Sequence, residues 1–179
     1  MKRTLIFILL FIGSATLMAQ NRVMPNRAYS ILNSNPGYIT INELQAGLGL
    51  GNTNVPYSKS MFGFTTIHGY QMNKSFLAAG GTGALFYNGG MLIPLYMDFR
   101  YNFKISSFSP YAYSDGGVLL NTSDLTEGSK IFINAGGGVR YSFSRQVAAT
   151  VSAGYWVQNG VSRDSFIVVK AGVTFRPGR

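Results

Sequence analysis

The chain contains no cysteine. That excludes a disulfide-stapled secreted fold, a thiol-anchored lipoprotein, thiolate metal sites and a catalytic thiol. Charge is also scarce: charged residues make up 12% of the chain, well under the ~25% of ordinary soluble domains. Acidic residues number six and there is one histidine, so acid–base and metal chemistry have few carriers. Beyond the N-terminus no segment is long and apolar enough for a transmembrane helix. What is abundant instead is glycine, 22 of 179 residues, with aromatics at 14%. An apolar, aromatic, glycine-rich chain without a spanning helix is the composition of a membrane β-barrel, where apolar residues are spread over alternate positions.

The first twenty residues read MKRTLIFILLFIGSATLMAQ. Lys2 and Arg3 form a positive start, Leu5 to Ile12 an apolar run, and small and polar residues lead to Ala19-Gln20. This is the layout of a cleaved secretory signal peptide, residues 1–19. The rival, an N-terminal anchor, is too short to span a bilayer. Loss of Lys2 and Arg3 lowers the net charge from +9 to +7. The remaining cations are scattered, with no nucleic-acid patch. Residues 20–36 are polar with Pro and Asn, and read as a flexible periplasmic lead-in. Residues 37–179 read as the barrel.

From Gly37 onward the pattern alternates with period two, the signature of strands. Strand one covers Tyr38 to Leu50, with Leu44, Ala46, Leu48 and Leu50 opposing Glu43, Gln45, Gly47 and Gly49. Strand two covers Met61 to Met72 and strand three Phe76 to Tyr87. Asn73-Lys74-Ser75 and Asn88-Gly89-Gly90 read as turns. Strand four is the sharpest: Leu95, Met97, Phe99, Tyr101 and Phe103 oppose Tyr96, Asp98, Arg100 and Asn102. Strand five, Pro110 to Leu120, has an ambiguous facing, because Tyr111, Tyr113 and Asp115 alternate with Ala112, Ser114 and Gly116. Strands six (Lys130 to Phe143), seven (Val147 to Gln158) and eight (Ser165 to Phe175) split cleanly. These segments exceed the ~5–6 residues of a mean soluble strand and suit the ~9–11 of a tilted membrane strand. Connections after strands one, five and seven are long and those after two and six are short, as expected of outer loops and periplasmic turns.

The reading is therefore all-β: an eight-stranded antiparallel up-and-down transmembrane barrel. Closing the sheet leaves no backbone group unpaired in hydrocarbon. Eight strands enclose only enough space for side chains, and inward Gly47, Gly49, Gly136, Gly138, Gly154 and Gly172 make room for larger neighbours. Tyr70, Tyr101, Tyr141, Phe103, Phe143 and Phe175 fall near the periplasmic strand ends, as an interfacial aromatic girdle would.

The runs HGYQMNKSFLAAGGTGALFY, IPLYMDFRYNF and SPYAY carry a further signal. Gly69, Tyr70, Asn73, Phe76, Gly81, Pro94, Asp98, Arg100, Tyr101 and Phe103 make a pattern that resembles the small outer-membrane β-barrel domain family of Gram-negative bacteria, the OmpA/OmpX-like barrels. The resemblance covers roughly residues 60–140 by motif and the rest by pattern. It implies an eight-stranded barrel in the outer membrane and no particular activity. The chain departs from such barrels in carrying Arg176 to Arg179 beyond the terminal aromatic residue that the assembly machinery reads.

Candidate functional residues are few. Glu43, Asp98, Arg100, Arg140 and Lys170 share inward parity, with Asp115 a further acid. They read as a charge-paired lumen plug, against an ion path or a small-ligand site. His68 shares parity with Phe62, Phe64 and Tyr70, so it points to lipid. A barrel hydrolase would need a Ser and an acid beside it, and the outward neighbours considered, Leu44, Ala46, Ala78 and Gly80, offer none. Asp124, Glu127 and Asp164 read as outer-loop acids without calcium-loop spacing. GLGLGN and AGGGVR lack the following helix of a phosphate loop. The expected role is structural or surface interaction, without enzyme activity or cofactor. Alternatives are a lipid-modifying enzyme using His68 and a secreted lipocalin-like binder. Expected partners are outer-membrane lipids and the barrel assembly machinery, with no nucleic acid and a monomeric state.

Overall fold

The computed structural model describes residues 30–33, 36–51, 57–103, 106–121, 129–159 and 163–177. Residues 1–19, read as a signal peptide, most of the residues read as a lead-in, Asp124 and Glu127 lie outside the described residues. A short 3-10 turn, Ile31–Asn33, precedes eight strands: β1 (Gly37–Gly49), β2 (Ser60–Gln71), β3 (Phe76–Tyr87), β4 (Gly90–Asn102), β5 (Phe108–Asn121), β6 (Lys130–Ser142), β7 (Val147–Asn159) and β8 (Arg163–Phe175). Each strand pairs antiparallel with its sequence neighbours. β1 closes on β8 from Thr40↔Phe175 to Gly49↔Phe166. Closure leaves no free sheet edge.

Period-two patterning decides which way each strand faces. Along β4, Tyr96, Asp98, Arg100 and Asn102 are buried while Leu95, Met97, Phe99 and Tyr101 are exposed. The same inversion, large apolar groups outside and charges inside, runs round the whole barrel. The ambiguity at β5 is resolved: Tyr111, Tyr113 and Asp115 point inward. Their shared parity with an acid was the available signal, because an unpaired carboxylate does not face an apolar surround.

Turns follow local chemistry. Asn73 Oδ1 accepts from the backbone N–H of Ser75 (2.9 Å) and of Phe76 (2.8 Å), an Asx turn that ends β2 and starts β3. The β3–β4 hairpin is tighter than the expected three residues. Asn88 and Gly89 make the turn, and Gly90 already opens β4 at φ +146°, where an L side chain is disfavoured. Pro94 lacks a donor, and the β3–β4 ladder breaks there: pairing runs to Thr82↔Leu95 and resumes at Leu85↔Leu92.

Two expectations need correction. Asp164 is not a loop acid: β8 begins at Arg163, and Asp164 is buried in the ion pair described below. The lead-in is not free along its length either. Ser30, Ile31 and Leu32 are buried inside the end of the barrel that carries the short turns. Ile31 N–H donates to Ser142 Oγ (3.2 Å) and Gln71 Nε2 donates to the Leu32 carbonyl (3.3 Å). Two large aliphatic side chains thereby enter a dry site, worth about 1.5–3 kcal/mol each in transfer terms.

Candidate functional site

The lumen is built in three levels. The middle level holds the charges. β1 supplies Glu43, β4 Asp98 and Arg100, β5 Asp115, β6 Arg140 and β8 Lys170, each no more than 3% exposed. The Arg100 guanidinium holds Asp98 at both oxygens, Nε to Oδ1 at 2.8 Å and Nη2 to Oδ2 at 2.9 Å. Its Nη1 donates to Glu43 Oε1 at 2.9 Å. Asp98 and Arg100 are two apart on one strand, so both point inward and meet in the planar fork that suits a carboxylate. Lys170 Nζ reaches Asp115 Oδ2 at 2.5 Å, across the lumen from β8 to β5. Asn134 Nδ2 donates to the same oxygen at 3.3 Å.

Arg140 is different. Its Nη1 donates to Asn102 Oδ1 at 2.9 Å, and no carboxylate lies within ion-pair distance among the described residues. The Tyr111 ring sits between the two guanidiniums, with Arg100 at 5.7 Å and Arg140 at 5.4 Å from its centroid. Arg140 Nε and Nη2, Tyr111 OH, Thr150 Oγ1 and Glu43 Oε2 are buried without a protein hydrogen-bond partner. Arg140 and Thr150 face each other across β6 and β7, and Gly172 lies between Thr150 and Glu43. The spare capacity of these groups is therefore gathered on one side of the lumen. Three acids and three bases make the level neutral, and Glu43 balances Arg140 through space rather than by contact.

Glycine makes the room. A Cβ on Gly136 would lie 2.8 Å from Tyr113 Cε1, and one on Gly172 would lie 2.6 Å from Glu43 Cγ. Above the charges, toward the long connections, Phe132 stacks on Trp156 with centroids 4.0 Å apart and planes 7° apart. Tyr96 and Tyr87 add edge contacts. Tyr87 OH and Trp156 Nε1 both donate to Gln158 Oε1, at 3.1 and 3.2 Å. Lys130 pairs with Asp164 at 3.1 Å, and Ser58 Oγ donates to Asp164 at 2.5 Å. Tyr57, held at φ 68°, packs on Tyr87. Below the charges, Ile31 and Leu32 fill the inner end. Among the described residues, buried side chains stand at all three levels of the interior. The arrangement neutralises the charges it buries, and it places charged side chains where a lipocalin-like binder needs an apolar cavity.

On the outer wall, His68 has partners that sequence reasoning missed. Tyr38 OH lies 2.5 Å from Nδ1 and Thr66 Oγ1 lies 3.1 Å from Nε2. A neutral ring donates to one hydroxyl and accepts from the other. Thr66 was findable as the same-face residue two before His68, and Tyr38 as a diagonal neighbour on β1. All acids among the described residues are buried inside, so no carboxylate orients this imidazole.

No protein-family model matches the chain, and no curated protein matches it by sequence. Solved structures do match in fold. Neisserial surface protein A (NspA) aligns with a TM-score of 0.57 at 15% identity, over 80% of this chain and 100% of that one. The N-terminal β-barrel domain of Pseudomonas aeruginosa OprF aligns with a TM-score of 0.48 at 16% identity, over 79% of this chain and 100% of that one. A de novo designed transmembrane β-barrel aligns at 0.49 and 19% identity, over 79% and 97%. The chain has the fold of a small outer-membrane-type barrel. The likeness is one of architecture, and the lumen residues are argued from their own geometry.

Proposed function

We propose that the chain is an integral outer-membrane protein, exported through the periplasm by its signal peptide, with a structural or surface-interaction role and no catalytic activity. One observation carries the reading: large apolar side chains stand exposed on the outer wall, while every acid among the described residues is buried inside. In water this arrangement would leave Leu44, Phe62, Met97, Ile133, Val151 and Val169 solvated on a continuous belt far larger than soluble monomers tolerate. In a bilayer the same belt meets lipid tails, and barrel closure satisfies the backbone. Tyr101 packs on Phe103 at 5.4 Å and Tyr141 on Phe143 at 5.2 Å along one end, the level of an interfacial girdle.

The lumen, occupied at all three levels, argues against conduction, so contact with the medium falls to the connections after β1, β3, β5 and β7. Outer-membrane lipids are the standing partners, with the barrel assembly machinery acting during insertion and the finished barrel a monomer. The test is gel migration of protein extracted from membranes in detergent. The folded barrel is expected to run at a different apparent mass before and after boiling. A mature protein that stays dispersed without detergent, or shows no shift on boiling, overturns the reading.

A further inference from the structure

From residue 37 onward, the excess positive charge of this chain belongs to one end of the barrel. The lumen level is neutral, three acids against three bases. By chain position, the segments at the end with the long connections match Lys59, Lys130 and Arg163 in number with Asp124, Glu127 and Asp164. The opposite end carries cations alone. The β2–β3 turn holds Lys74 and the β6–β7 turn Arg145; Arg176 follows β8, its side chain buried and donating to Gln71. Neither the three connections at this end nor residues 176–179 contain an acid. Lys104 and Arg179, outside the described residues, belong to the same acid-free segments by chain position.

Lys74 and Arg145 are exposed, and neither makes an ion pair among the described residues. Each lies just past an exposed aromatic or apolar residue of the girdle: Lys74 follows Tyr70 and Met72, and Arg145 follows Tyr141 and Phe143. The charges therefore sit at the depth where lipid phosphates begin. Their spacing round the rim also matters. In a closed order of eight strands, the β2–β3 and β6–β7 turns stand on opposite sides. One partner protein or polymer strand docked at a single patch does not reach both. A ring of lipids does.

We propose that this rim recruits anionic phospholipids of the adjoining leaflet, Lys74 and Arg145 pairing with headgroup phosphates. The proposal rests on the membrane reading above. The test uses the full mature protein in phosphatidylcholine vesicles doped with spin-labelled phosphatidylcholine or phosphatidylglycerol. The wild-type barrel is expected to retain the labelled phosphatidylglycerol in preference. The K74Q/R145Q variant should lose that preference, by about fivefold for each charge removed, and salt should weaken it in the wild type. Gel migration on boiling is read on every sample. A heat-shifting barrel that retains both labels equally, or a double variant with undiminished preference, overturns this inference alone. A soluble polyanion bound without lipid preference does the same. Failure of every sample to insert overturns both this inference and the membrane reading beneath it.

Discussion

Single residues in the lumen differ by whom they touch. Arg100 contacts two carboxylates, whereas Arg140 contacts an amide and a ring face. Removing Arg100 strands Glu43 and Asp98 in a dry site. Arg100→Met is expected to cost about 3–5 kcal/mol. Arg140→Met gives up one hydrogen bond and a cation–π contact, so about 1–2 kcal/mol is expected. Urea titration of the detergent-solubilised barrel checks the ranking, and equal losses would contradict the pairing described. His68 belongs to the same scale but to the other wall. Its two hydroxyl partners satisfy a polar ring at the lipid interface without an acid to orient a base. His68→Ala should leave the lipid A and phospholipid composition of the cells unchanged; a changed acyl-chain profile would revive an enzymatic reading.

At the scale of elements, the strands were legible because the bilayer-type pattern is strict. In β4 every odd position from Leu95 to Tyr101 is large and apolar, and each even position from Tyr96 to Asn102 is polar or amphipathic, so one register satisfies all. β5 was not legible by hydrophobicity, since tyrosine suits either side; only the company of Asp115 decides it. Asn159, Gly160 and Ser162 signal a turn, but β8 opens directly after them at Arg163, so Asp164 already belongs to the strand. The Ile31–Asn33 turn was invisible for another reason. Three residues carry no period, and the burial of Ile31 and Leu32 depends on walls contributed by β2 and β6. Turn chemistry was legible as type and not as contact. Asn73 supports two backbone donors, so Asn73→Ala should cost about 1–2 kcal/mol and raise hydrogen exchange at the Ser75 and Phe76 amides. Exchange unaltered there would show that the β2–β3 turn holds without the side chain.

For the whole molecule, closure and filling are coupled. The six charged groups of the middle level come from five strands, and only the Asp98–Arg100 pair is complete within one of them. Fold class and the membership of this level were readable from parity. The pairing was not, because which acid meets which base depends on stagger round the barrel. Asp98 meets Arg100 within β4, whereas the reach of Arg100 to Glu43 on β1, and of Arg140 to the Asn102 amide on β4, follows from that stagger. The inner plug adds to the coupling. Replacing Ile31 and Leu32 together by Ala should lower stability by at least the ~2–5 kcal/mol of one buried aliphatic truncation, while the boiling-dependent gel shift persists. A variant as stable as the wild type would mean that the inner end closes without them.

The seam between β1 and β8 sets the order in which such a chain can mature. Thr40 meets Phe175, so the earliest strand waits on the last. Until that final strand arrives, Asp115 has no Lys170 and Lys130 has no Asp164. A nascent chain lacking β8 would carry two naked charges of opposite sign on the paired strands β5 and β6, together with two raw edges. Quality control is thereby written into chemistry: an incomplete product is uncomfortable in lipid, and only a full-length one can become neutral and edgeless in a single step.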